Sequence, residues 1–488
     1  MTAESDAHAT TLAEREPPAN RFPRGALAVV MVGTFVTVLD YFVANVAVSS
    51  IQEDLQATSA QIQGVIVGYG VAFSAGMITG GRLGDLYGRR RLFVLGLALF
   101  LLTSAACGLA PSATTLVVAR IAQGAAAALM VPQVLGIVST ICTTDESRAR
   151  AFNIYGLVIG MAAVFGQVIG GLLITLDVAA VGWRAIFLIN VPVCGIALVA
   201  ARRVVPESRN PRAARLDLPG AVLVTAALGA VVFFFLSGQE LGWPWWSWLC
   251  LAAAVPLLAA FVRHARRSER LGGSPVIEPA LFRERSFTAG VTAMVVYFMA
   301  LGSFFFLLAV YLQDGHGLSP LESGLMFFTL GTGFFISSMV FSKLAAKVGH
   351  RLIVFGPLTV AVGYLLVILV TARTGVSGSE GWLILPLVIA GVGMGMTTGP
   401  LTNAVLTGVA PDHAASAAGV ANTAQEGGAA VGVAIAGAVF FPVLGELTDR
   451  AAYPHAFQTA LVPLIVFCVC AAALVALMSR RSAQPAAA

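Results

Sequence analysis

The sequence predicts an all-α membrane protein of fourteen transmembrane helices, arranged as two six-helix bundles with two extra helices between them. Three observations carry this. Hydrophobic residues make up 58% of the chain and charged residues only 11%, against about 25% charged in soluble domains. Fourteen long apolar runs follow one another, too continuous for the alternating strands of a β-barrel. A thin internal repeat links the first six runs to the last six.

In chain order, residues 1–24 are polar, carry acids as well as Arg15, and lack the apolar core of a signal peptide, so they read as a tail. The apolar runs are 25–48, 61–81, 92–110, 113–139, 151–176, 184–204, 217–238, 243–263, 286–312, 319–342, 350–372, 381–404, 416–444 and 456–478. A second tail covers 480–488. An even number of spans puts both tails on one side. Of the 29 Lys and Arg residues, 25 fall in the tails and the loops on their side. Three (Arg184, Arg373, Arg450) fall on the other side, and Arg120 lies inside a span. Positive charge stays on the cytoplasmic side, so both termini are expected there, in the inner membrane. Trp243, Trp245, Trp246 and Trp248 then fall at the outer interface.

The segment 80–91, Gly-Gly-Arg-Leu-Gly-Asp-Leu-Tyr-Gly-Arg-Arg-Arg, joins spans 2 and 3 in a tight hairpin whose charged tip lies in water. Its glycines let two helix ends approach, and Asp85 suits the positive start of the next helix or a nearby arginine. The repeat runs in order. Ile51-Gln52 matches Leu312-Gln313, Thr58 matches Ser319, and Gly88-Arg89-Arg90 matches Gly349-His350-Arg351. Pro132 matches Pro400 and Asp145 nearly matches Asp412, while Ala346 stands where the first copy has Asp85. The domains expected are 25–205 and 286–479, joined by 206–285, which carries spans 7 and 8. Repeated halves are usual in secondary transporters, with the substrate site between them.

Several classes are disfavoured. A net charge of +5 spread over short loops suits topology rather than nucleic-acid binding. The six cysteines lie in or beside apolar segments without metal-ligand spacing, so no metal or cofactor is expected. No phosphate-binding G-x-x-x-x-G-K-[ST] pattern occurs, so an ion gradient must drive any uphill transport. An enzyme would need a nucleophile–base or metal constellation at span depth, and no histidine lies in the interior of a span.

The loop pattern G-x-L-x-D-x-x-G-R-R resembles the signature loop of the major facilitator superfamily. Leu39-Asp40 with Asn45-Val46-Ala47 is similar to the helix-1 motif of its fourteen-helix drug:proton antiporters. Arg120-Ile121-Ala122-Gln123-Gly124 resembles their R-x-x-Q-G motif. Gly166-Gln167-Val168-Ile169-Gly170-Gly171 resembles the antiporter motif G-P-x-x-G-G, with Gln167 in place of the proline and Gly166, Gly170 and Gly171 retained. The resemblance covers about 25–478. It implies the major facilitator fold and proton-coupled export by alternating access. In that reading Gly81, Asp85, Gly88, Arg89 and Arg90 form the conformational loop and stabilise the outward-open state.

A charge near the bilayer centre costs about 2.5–3.5 kcal/mol on insertion scales, so such residues are functional candidates. Asp40 and Arg120 lie at similar depth, roughly 12 and 10 Å from the outer ends of spans 1 and 4 at 1.5 Å per residue. They are expected to interact, either as a proton-coupling pair or as an ion pair that only locks packing. Glu426, roughly 10 residues into span 13, is either a second proton or cation site or part of a wet cytoplasmic mouth. Asn45, Gln123, Gln167, Asn403 and Asn422 are candidates for the cavity wall. Asn190, like several of these, also suits bonding between helices. The combined reading is a monomeric exporter of small amphipathic, often cationic compounds, driven by protons across the lipid bilayer. The runner-up is an exporter of one endogenous metabolite or antibiotic.

Overall fold

The structure, a computed structural model, describes residues 24–142, 144–177, 180–209, 217–271, 273, 275, 277–348, 351–406, 409, 414–445 and 450–482. Most of both tails (1–23 and 483–488), together with Gly349, His350 and Asp412 of the repeat, lies outside the described residues.

Helices account for nearly all of the described chain. The first half holds α1 (Arg24–Val46), α2 (Val48–Leu55), α3 (Ser59–Tyr87), α4 (Arg89–Gly108), α5 (Ala113–Ile141), α6 (Asp145–Thr175), α7 (Ala185–Leu188) and α8 (Asn190–Val204). Two further helices follow, α9 (Leu218–Leu241) and α10 (Trp245–Arg270). The second half holds α11 (Arg285–Val310), α12 (Pro320–Val348), α13 (Arg351–Thr374), α14 (Ile384–Leu406), α15 (Ala414–Leu444) and α16 (Tyr453–Ser482). Twelve spans are long and apolar enough alone, one of them Gly182–Val204, which includes α7 and α8. The bent helices α3 and α6 bring the number to fourteen, in the order the sequence predicts.

Local chemistry sets the starts and stops. Thr58 accepts from the Gln61 N–H at 3.3 Å, and the Gln61 side chain accepts from the Thr58 N–H at 2.9 Å. Ser319, its repeat partner, does the same for α12: it accepts from the Glu322 N–H at 3.3 Å while Glu322 accepts from the Ser319 N–H at 2.8 Å. Such reciprocal caps satisfy two orphan donors at a helix start. Between α3 and α4 the chain turns at Gly88, whose φ of 111° few other residues adopt.

Within the first half, α1 packs on α6 and α8, and α5 lies between α3 and α4; in the second, α11 packs on α15 and α16, and α14 lies between α12 and α13. Two seams join the bundles, α3 against α15 and α6 against α12. Small residues line them. Gly70 faces Ala430 and Gly437 faces Gln63 on the first seam; Gly171 meets Pro320 and Gly324 meets Gln167 on the second. Thr423 Oγ1 donates to Ser74 O at 3.1 Å, and the Phe42 and Phe305 rings meet at 5.1 Å between α1 and α11. These contacts run from mid-depth to the end that holds Asp54 and Trp183, and they hold the halves together there. Of the extra helices, α9 lies against both α3 and α15, with Leu228 beside Gly427, while α10 packs on α9 and leaves Trp245, Leu249 and Val255 exposed.

At that closed end Asp54 of α2 accepts from Trp183 Nε1 at 2.9 Å and Arg184 Nη1 at 2.7 Å. The Trp183 hydrogen bond, followed by the one from Arg184, holds the Asp54 carboxyl below its ordinary value. A carboxyl depressed in the folded state stabilises above its unfolded pKa, and that contribution is lost as pH falls through the folded value. The melting-temperature gap between wild type and Asp54→Ala is therefore constant at neutral pH and closes below about pH 4. Scanning calorimetry across pH checks this, and a gap that widens in acid contradicts it.

Candidate functional site

The R-x-x-Q-G stretch of α5 is one helical turn. Residues three and four apart share a face, so Arg120, Gln123 and Gly124 point together into the first bundle. Gly124 is where α5 meets α3, and a Cβ there would overlap the Tyr69 carbonyl. The close approach brings Arg120 across to α1.

There it pairs with Asp40, and both side chains are fully buried. Arg120 Nη1 donates to Asp40 Oδ2 and, at 2.7 Å, to Gln123 Oε1; Nε donates to Val65 O at 3.0 Å. Asp40 Oδ1 accepts from Gln123 Nε2 at 3.0 Å and from Asn190 Nδ2 at 2.9 Å. Both amides also donate to Ser104 Oγ, at 2.7 and 3.2 Å. The guanidinium carbon lies 4.3 Å from the Tyr69 ring centroid and 5.5 Å from that of Phe187, cation–π distances that suit an Arg side chain away from water. Six helices, α1, α3, α4, α5, α7 and α8, thus converge on one neutral, closely bonded pair.

The pair does not open onto a cavity. A cavity of about 250 Å³ lies between the bundles, walled by aromatic and aliphatic side chains, among them Tyr41, Phe42, Phe298, Phe305, Phe327 and Phe334. Glu426 of α15 is the one charged side chain among the described residues that line it. Tyr41, Tyr69 and Tyr155 lie within electrostatic range of that carboxylate. Tyr69 therefore borders both features, with its ring against Arg120 and a place in the cavity wall.

The other sequence candidates divide. Gln167 and Asn422 line the cavity. Gln123 does not; it is spent on the ion pair. Asn45 is buried too, and its Nδ2 donates back to Tyr41 O and Phe42 O at 3.3 and 3.4 Å. Asn403 is exposed and is not a lining residue. Gly166 and Gly170 seat α6 on α1, at Leu39 and Val43, whereas Gly171 faces α12 across the seam. In the charged loop, Arg89 pairs with Asp85 at 2.9 Å and donates to Gly136 O of α5 at 2.8 Å, and Gly81 lies over Pro132. The Arg90 N–H and side chain both reach Glu207, at 3.1 and 3.7 Å, and Arg82 reaches Pro275 O. The loop is thus tied to its own bundle and to the segments flanking the extra helices. Sequence reasoning left Ser104 and the three tyrosines unmarked, because a serine or an aromatic in an apolar run carries no signal of its own.

A polar-poor cavity between two repeated helical bundles defines a membrane carrier. The family model for the Major Facilitator Superfamily matches residues 30–220 and 218–433, and the chain belongs to that family. It is 36% identical over 438 residues to a probable actinorhodin transporter of Streptomyces coelicolor, covering 89% of this chain and 75% of that one. It is 32% identical over 410 residues to the multidrug resistance protein Stp of Mycobacterium tuberculosis, covering 83% and 74%. Among solved structures, a bacterial homologue of the human lysosomal transporter Spinster, inward-facing and unoccupied, matches with a TM-score of 0.68 at 18% identity, over 96% of this chain and 99% of that one; this likeness speaks to fold alone.

Removing one partner of a buried pair leaves an uncompensated charge and costs about 3–5 kcal/mol. Arg120→Ala is expected to fall in that range, and Arg120→Ala/Asp40→Asn to recover part of it. Thermal unfolding in detergent checks this; a double variant no more stable than Arg120→Ala contradicts it.

Proposed function

We propose that this protein is a proton-coupled exporter of amphipathic, often cationic compounds in the cytoplasmic membrane, working as a monomer by alternating access. Both termini are cytoplasmic in this reading. The bundles 25–205 and 286–479 rock about the seams, and 206–285 joins them. The observation that carries the proposal is Glu426, a single carboxylate in an aromatic cavity between the halves.

A positive charge is needed beside that carboxylate, and either a proton or a cationic substrate supplies it. In this reading the seams hold the end away from the charged loop together, and the cavity takes up substrate from the cytoplasm. In the outward-facing state a proton replaces the cation at Glu426 and the substrate leaves. Asp40 serves as the second proton site. Protonation weakens its hold on Arg120, and Tyr69 transmits the change to the cavity wall. The loop 81–91 trades its present contacts for contacts with the second bundle in the outward-open state.

Similarity to a probable actinorhodin transporter favours a second reading, export of one antibiotic by the cell that makes it. The two readings differ in the range of substrates, not in the machinery.

The test is transport in proteoliposomes under an imposed pH gradient. Truncating one member of a desolvated charge pair costs 2–5 kcal/mol, so Glu426→Gln should raise the KM for a permanently cationic dye by about 30-fold or more and leave that for a neutral dye unchanged. Asp40→Asn should bind both dyes normally but lose the response of neutral-dye export to the gradient. Full proton-driven export by both variants overturns the proposal.

A further inference from the structure

Gln167 stands apart from the other buried amides. Gln123 and Asn190 are spent on Asp40 and Ser104. Gln133 donates to Gly80 O at 2.7 Å and Leu129 O at 3.0 Å, and Gln313 donates to Ser323 at 3.4 Å. Gln167 is 1% exposed and lines the cavity, yet neither its Oε1 nor its Nε2 meets a protein partner. Buried polar groups are almost always bonded, and an exception needs a reason. The helix across the seam does not supply a partner here, because the residue facing the Gln167 backbone is Gly324, which has no side chain.

The cavity it lines is rich in flat, apolar rings. One turn along α12 from Gly324, Phe327 stacks on Phe305 with centroids 5.7 Å apart and planes 8° from parallel, and Phe42 meets Phe305 edge-on at 5.1 Å. All three rings line the same cavity.

We infer that Gln167 is the specificity-determining residue of the cavity and recognises a planar aromatic substrate carrying an adjacent hydrogen-bond donor and acceptor on one edge. A primary amide offers a C=O and an N–H side by side. The complementary edge is that of a lactam or an imide, and it closes a ring of two hydrogen bonds with Gln167 while the flat body lies against the phenylalanine rings. The inference rests on this cavity being the transport site and names the chemistry it selects. Glu426 adds affinity for a cationic group, but the edge contact needs no charge. A site built around a hydrogen-bonding group rejects analogues that lack it, because the group is then left unpaired.

The test uses a fluorescent pair, 1,8-naphthalimide and N-methyl-1,8-naphthalimide, which differ by the donor N–H. Binding is titrated on the purified full-length protein. Wild type is expected to prefer the unmethylated probe by about tenfold. Gln167→Met, similar in length and apolar, should abolish that preference while holding the N-methyl probe within about twofold of wild type, which also shows that the variant is folded. Gln167→Glu, which keeps the oxygen that accepts the imide N–H, should retain the preference. Equal binding of the two probes by wild type, or an undiminished preference in Gln167→Met, overturns this inference and leaves the cavity assignment standing. Binding of neither probe by wild type overturns this inference too, whereas the cavity assignment stands or falls with the transport of the cationic dye.

Discussion

A buried pair of opposite charges shapes the first bundle. Neither Asp40 nor Arg120 has access to water, and a single charge in that position would cost several kcal/mol even after relaxation. The fold meets most of the cost with hydrogen bonds and ring contacts, although Arg120 Nη2 has no hydrogen-bond partner among the described residues. Helices α1, α3, α4, α5, α7 and α8 each bring a hydrogen-bonding or aromatic group to the pair. The glycine at 124 follows from the same need, since α5 must lie close to α3 for the guanidinium to reach both Val65 O and Asp40. What holds the bundle together is thus electrostatic at its centre and close-packed around it.

The two halves treat charge differently. The first keeps its ions paired and away from the cavity, whereas the second presents Glu426 into the cavity within range of three phenols. Tyr69 is the physical link between the two. A shift of Arg120 moves the ring it stacks on, and that ring is part of the cavity wall. Any conformational change that repacks α3 against α15 therefore reaches the ion pair through one side chain, without a longer chain of contacts.

Much of this was legible in the sequence. The fourteen spans, the repeat that pairs Thr58 with Ser319, and the close meeting of Asp40 with Arg120 follow from run lengths, repeats and the scarcity of charge in apolar segments. Depth along a helix can be counted at 1.5 Å per residue. Azimuth cannot be counted where a helix is apolar all round, because the amphipathic stripe that would orient it is missing. Gln123, Asn45 and Asn403 are failures of azimuth: each sits in the right span, and each faces something other than the cavity. The packing of the Tyr69 ring on Arg120 is hidden for the same reason. A seam built from Gly70, Gly171 and Gly324 is equally silent, since glycine in a membrane helix marks close approach without naming the partner.

One carboxylate with one place for a positive charge is enough, in the proposed reading, to make exchange obligatory for cations. The proton and the substrate compete for Glu426, and a ligand shifts the conformational equilibrium only by its differential affinity for the two states. A neutral substrate does not enter that competition. For such a compound the coupling must run through Asp40, whose protonation alters the pair and, through Tyr69, the wall the substrate touches. The two acids are then not redundant. Glu426 couples charge to charge, whereas Asp40 couples charge to shape, and an exporter that carries both kinds of compound needs each of them.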